Sequence, residues 1–236
     1  VPSMTNPRPV RIRICFLLRA LALAKEKPLS FVGGSGGTVT LTEFSRFRVP
    51  TGLGGVVGLY GGSQELAGQL GQVGRAGTEA FAVANTIARL TPASGPFYGP
   101  LGNQLRKVIS LLRADLPLEV IQLDQGGFDT HSNQAGGHNG LLTALGNNLN
   151  AYQEHLERLG LADSVVTVVF SEFGRRAEEN ISGGTDHGSA GPVFVLGKGI
   201  RPGFHGDYPS LDDLDRGNFK YTTDFRRVYA SLLKKT

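Results

Sequence analysis

The sequence predicts an α/β domain in which a mainly parallel sheet is covered by helices, and three observations predict it. Short apolar runs rich in β-branched residues occur at LEVIQLD (118–124), SVVTVVF (164–170) and PVFVLG (192–197), the composition of buried strands. An amphipathic helical pattern at 141–160 separates the first two, and another at 222–235 follows the third. The unusual polar residues gather in the loops at the strand ends, where ligands sit in open α/β sheets.

The elements follow in chain order. Residues 11–25 have helical composition, and PLSFVGG (28–34) reads as a short strand. The stretch 33–62 is rich in Gly, Thr and Ser and reads as loop, with a candidate strand at 38–41. Apolar residues from Leu66 to Leu90 recur at helical spacing, although Gly68, Gly71, Gly74 and Gly77 weaken the first half. TPASGPFYGP (91–100) is punctuation, and Leu101, Leu105, Val108, Ile109 and Leu112 form one face of a helix over 101–115. The 118–124 strand runs into a loop at 125–140. Leu142, Leu145, Leu149, Tyr152, Leu156 and Leu159 then line the next helix, which Gly160 stops. The almost wholly apolar 164–170 run reads as a central parallel strand covered on both faces. A glycine-rich loop (183–191) leads into the third strand, and Phe225, Val228, Tyr229, Leu232 and Leu233 mark the closing helix. This pattern divides the chain into a basic, glycine-rich segment (1–62) and an α/β domain (63–236).

Composition excludes several functions. The chain of 236 residues is 40% apolar and 19% charged, ordinary for a globular protein, but holds 34 glycines. Its net charge of +4 is uneven: residues 1–50 hold eight basic and two acidic residues, while the remainder holds 16 basic and 18 acidic. No basic patch with interleaved aromatics marks residues 51–236, so a nucleic-acid footprint is not expected there. Cys15 is the one cysteine, which excludes an intrachain disulfide and a thiolate metal cluster. Residues 8–24 have the rough order of a secretory signal, but Arg19 interrupts the apolar run; an amphipathic helix of the folded domain is the favoured reading, and no transmembrane segment is expected.

Three segments carry the chemistry: GGFDTH (126–131), SEFGRR (171–176) and GGTDHG (183–188). They supply Asp129, His131, Glu172, Asp186 and His187, a carboxylate and imidazole set that suits zinc, manganese or iron rather than calcium. The adjacent Arg175 and Arg176 suit a phosphate or sulfate group, because a guanidinium pairs bidentately with such oxyanions. Each residue also has a structural reading: Asp129 and Asp186 as turn residues, Glu172 as a partner of Arg175 or Arg176. His138, His155 and His205 are expected at the surface, and Ser171 lacks the surroundings of a nucleophile elbow. GGSGG (33–37) lacks the spacing of a nucleotide-binding loop. The case for a site rests on convergence of the five ligand candidates.

At GGFDTHSNQ (126–134), VVFSEFGRRAEENISGGTDHGSAGPVFVLG (168–197) and GDYPSLDDLDRGNFKYTTDFRRVYASLL (206–233) the chain resembles the DUF1501 family, related to the alkaline phosphatase and sulfatase superfamily. The likeness covers about 117–233 and extends more loosely back to 28. It implies a three-layer α/β fold with a two-metal hydrolytic site at the strand ends, zinc or manganese as cofactor, a small anionic substrate, and export to the periplasm. Asp129, His131 and His187 fall where the superfamily places one metal site. Glu172 falls where the phosphatases carry an Asp-His pair, with Phe173 in place of the histidine, which argues against a conventional second zinc. No counterpart of the superfamily's first strand, with its aspartate ligand and Ser/Thr nucleophile, occurs in residues 1–60. An incomplete fold, lacking its N-terminal part, is therefore expected. The functions to be weighed are a metal-dependent hydrolase of phosphate or sulfate esters, and a non-catalytic anion- or partner-binding descendant of the same fold.

Overall fold

The computed structural model describes residues 20–28, 31–32, 37–50 and 52–233. Residues 11–19 of the expected first helix, most of the 8–24 stretch and most of GGSGG lie outside the described residues. The fold is mixed α/β, and the chain divides into two compact units, 1–125 and 126–236.

The first unit holds a three-stranded parallel sheet in the order β2-β1-β3: β1 is Ala20–Ala22, β2 is Thr38–Thr40 and β3 is Val120–Gln122. Leu21 pairs with Val39 on one side and Ile121 on the other, and Leu21 and Ala22 are fully buried. This corrects the helical expectation for 20–25. The ALALA composition favours a helix in isolation, but a central strand buried on both faces accepts any small apolar run, and tertiary pairing overrides propensity. The strand expected over 28–34 is also corrected where it is described, since Phe31 and Val32 lie in a turn.

Helices α1 (Gly54–Ser63), α2 (Gly68–Ala88) and α3 (Gly99–Arg113) complete this unit. The first occupies a stretch expected to be loop. Glycines in α2 permit the packing: a Cβ at Gly77 would lie 2.2 Å from the Tyr60 ring. On α3, Leu101, Leu105, Val108 and Ile109 are buried at helical spacing, as their pattern foretold. Polar bonds pin the chain before this helix: Ser110 Oγ donates to Thr91 O at 2.7 Å, and Arg106 Nη2 to Phe97 O at 2.9 Å.

The second unit is built on α4 (Gln134–Arg158), whose first two turns lie in a stretch expected to be loop. Its buried side chains, Asn148, Ala151, Tyr152 and Leu156, form one stripe; Leu142 falls off it and is exposed, and Leu159 is exposed as the cap residue just past the last turn. Among the described residues, strand β4 (Thr167–Val169) pairs with β7 (Phe194–Leu196) alone and antiparallel, with Val168 opposite Val195. The expected central parallel strand is thus corrected. Parallel neighbours need a crossover, usually a helix, whereas residues 171–191 hold only turns and the short strands β5 (Gly174–Arg175) and β6 (His187–Gly188). Strands β8 (Leu214–Asp215) and β9 (Asn218–Phe219) form a second small ladder, and α5 (Phe225–Leu233) closes the described chain.

Candidate metal centre

Two loops meet at the start of α4. One, at 126–131, carries Asp129 and His131. The other, at 182–188, carries Asp186 and His187. The first turn of a helix leaves backbone N–H groups without intrahelical partners, and here the second loop takes two of them. Asn133 N donates to Ser182 O (3.0 Å) and Gln134 N to Gly183 O (2.9 Å). The approach is so close that a Cβ on Gly184 would sit 2.5 Å from the His131 carbonyl. Side chains reinforce it. Thr185 Oγ1 donates to Gln134 Oε1 (2.8 Å), and Asn180 Nδ2 donates to His131 O (3.0 Å) and Asp186 Oδ1 (3.2 Å).

These backbone bonds bring three side chains together. His131 Nε2 and His187 Nε2 lie 3.0 and 2.8 Å from Asp129 Oδ1. The two imidazoles stack with centroids 4.8 Å apart. Hydrogen bonds from His187 and then His131 hold the Asp129 carboxyl below the usual carboxylate range. One ligand atom from each of Asp129, His131 and His187 lies within 4.8 Å of the others, a group able to hold a metal ion. In a tetrahedral zinc site, bonds of roughly 2.1 Å put neighbouring ligand atoms about 3.4 Å apart, so small movements would seat an ion. One carboxylate and two imidazoles suit zinc or manganese and leave coordination positions open. All three side chains are exposed, Asp129 to 70%, so the site is open to solvent rather than closed like a structural zinc site.

The other candidates surround this group. Asp186 Oδ1 is 3.7 Å from His131 Nδ1, on the ring edge away from Asp129, where a carboxylate can orient the imidazole. Glu172 is exposed and is not one of the three grouped ligands. Arg175 donates from Nη1 to Thr185 O and from Nη2 to Phe128 O, both at 2.5 Å. Arg176 Nη2 donates to Arg216 O at 2.6 Å. His205 Nε2 meets Arg201 O, and His138 packs its ring near Phe128. Three residues that the sequence did not offer as site residues shape the centre, Phe173 having stood out only as a replacement for a histidine. Phe173 stacks on His187, with centroids 3.7 Å apart and planes at 9°. Asn180 and Gln134 lace the loops. An asparagine ahead of a Gly-Gly pair is a turn signal, so Asn180 was findable; the partners of Phe173 and Gln134 depend on the fold.

Among the described residues, no helix is long and apolar enough to cross a membrane. No curated protein and no solved structure matches the chain. A family model described as "Protein of unknown function (DUF1501)" matches residues 91–232, which include every residue of the candidate centre. The chain therefore belongs to the DUF1501 family.

Proposed function

We propose that this chain is a metal-dependent hydrolase of phosphate or sulfate esters, built on a three-layer fold of the alkaline phosphatase type. The observation that carries the reading is the convergence of Asp129, His131 and His187, separated by up to 58 positions in sequence, on a space the size of one cation. Zinc or manganese bound there would supply Lewis acidity toward an ester oxygen and the attacking water. Asp129, His131 and His187 would hold the ion, and Asp186 would orient His131 from behind. Arg176 keeps N–H donors beyond the one spent on Arg216 O, and these suit the oxygens of an anionic substrate.

The site's exposure gives substrate a direct approach. A second reading, a non-catalytic anion-binding descendant, has one observation in its favour: the neighbouring hydroxyls are engaged elsewhere. Thr130 Oγ1 accepts from Gln134, Thr185 Oγ1 donates to Gln134, and Ser171 Oγ donates to Phe173 O. The test is hydrolysis of p-nitrophenyl phosphate and p-nitrophenyl sulfate by the zinc- and manganese-loaded chain. The hydrolase reading expects turnover that His187→Ala abolishes. Bound metal without turnover of either ester selects the second reading.

A further inference from the structure

We propose that Arg175 is a positioning residue for the metal centre, acting as a strut that sets the spacing of the two ligand-bearing loops. This rests on the metal reading above. The two oxygens its guanidinium engages are Phe128 O and Thr185 O. The first carbonyl belongs to the peptide bond leading into Asp129, and the second to the bond leading into Asp186, one residue before His187. A guanidinium is a rigid planar fork. Its two Nη atoms therefore fix the separation of these carbonyls, and through them the separation of the ligands, while leaving both loops free to supply side chains. The part-buried position of this guanidinium agrees with a tether.

A second link runs through the rings. Arg175 sits opposite His187 in the β5–β6 pair, and its guanidinium carbon lies 5.1 Å from the Phe173 ring centroid. Phe173 in turn lies flat against the His187 imidazole. Arg175 thus constrains both the backbone that carries His187 and the ring that sets its plane. Lysine could keep the charge at this position but not the fork, because a single ammonium cannot hold two carbonyls at a fixed spacing.

The experiment measures zinc affinity of the full chain by competition with a chromogenic chelator, with circular dichroism reporting folding. The wild type is expected to bind zinc, and His131→Ala to lose it. Arg175→Ala is expected to remain folded yet bind zinc about 10- to 100-fold more weakly, the usual loss when a partner behind the ligands is removed. Millimolar guanidinium, too dilute to denature, is expected to restore part of that affinity. Arg175→Lys is expected to remain several-fold weak. Arg201→Ala, which removes an exposed charge elsewhere, should bind as the wild type does. Wild-type zinc affinity in folded Arg175→Ala, with binding still lost in His131→Ala, overturns the strut and leaves the metal reading standing. A wild type that binds no zinc overturns both. Should Arg175→Ala fail to fold, Arg175→Lys decides: weakened binding supports the strut, and unchanged binding refutes it.

Discussion

The two units are held together by different physics. In residues 20–125 the ordering comes from apolar burial: Leu21, Ile87, Ile109 and Leu111 are fully or almost fully buried, and a parallel sheet lies among them. In residues 126–233 the buried apolar side chains are few: Ala151, Tyr152 and Leu156 on α4. The loops around the candidate centre are instead fixed by hydrogen bonds to carbonyls, by glycine close approaches and by ring stacking. Apolar burial is non-directional and gives stability; hydrogen bonds are directional and contribute modest net stability but set geometry. The first unit should therefore govern how hard the chain is to unfold, and the second how well it holds an ion.

Substitutions can break this contrast. Ile109→Ala should destabilise by about 2–5 kcal/mol, the range for deleting a buried aliphatic side chain, measured by urea denaturation. Zinc affinity of the folded fraction should stay as it was. Gly184→Ala is the converse test. A methyl forced against the His131 carbonyl should cost about 1–3 kcal/mol, typical of overpacking, and should appear chiefly as weakened zinc binding. If Gly184→Ala lowers the melting temperature but spares zinc affinity, the assignment of geometry to the second unit fails. Phe173→Ala removes a stack of the kind worth about 0.5–1.5 kcal/mol, so zinc affinity should fall roughly 2- to 10-fold.

The smallest expected effect is on pH. The folded-state pKa of Asp129 is lowered, so its contribution to stability is fully present above the ordinary carboxylate pKa of 3.8 and is lost as pH falls through the lowered value. The stability difference between wild type and Asp129→Asn should therefore vanish in acid and reappear above about pH 4. Because Asp129 is exposed, the difference stays small. Zinc binding should also weaken on acidification, since imidazole ligands must be deprotonated.

The sequence made the site more legible than the sheet. Asp129, His131 and His187 stand out because two short glycine-flanked motifs each contain an Asp and a His, and such residue types have few reasons to recur in that form. Helices α2, α3 and α5 were readable from periodicity. Strand β1 was not, because an alanine-leucine run carries no record of which neighbours will pair with it. The pairing of β4 with β7 was missed for a related reason: apolarity records the capacity for burial, while direction depends on the connection between strands. The start of α4 was masked by glycines at 136, 137 and 140, which local preference reads as loop. The backbone role of Arg175 was invisible, because its partners are carbonyl oxygens that every residue possesses.

The central claim is tested most directly by metal content. The chain is dialysed against zinc, freed of excess ion, and assayed for elemental zinc per polypeptide, beside the His131→Ala/His187→Ala double variant. Near-stoichiometric zinc in the first and near-background zinc in the second is the expected result. Equal loading of the two proteins, or none in either, would contradict the centre outright.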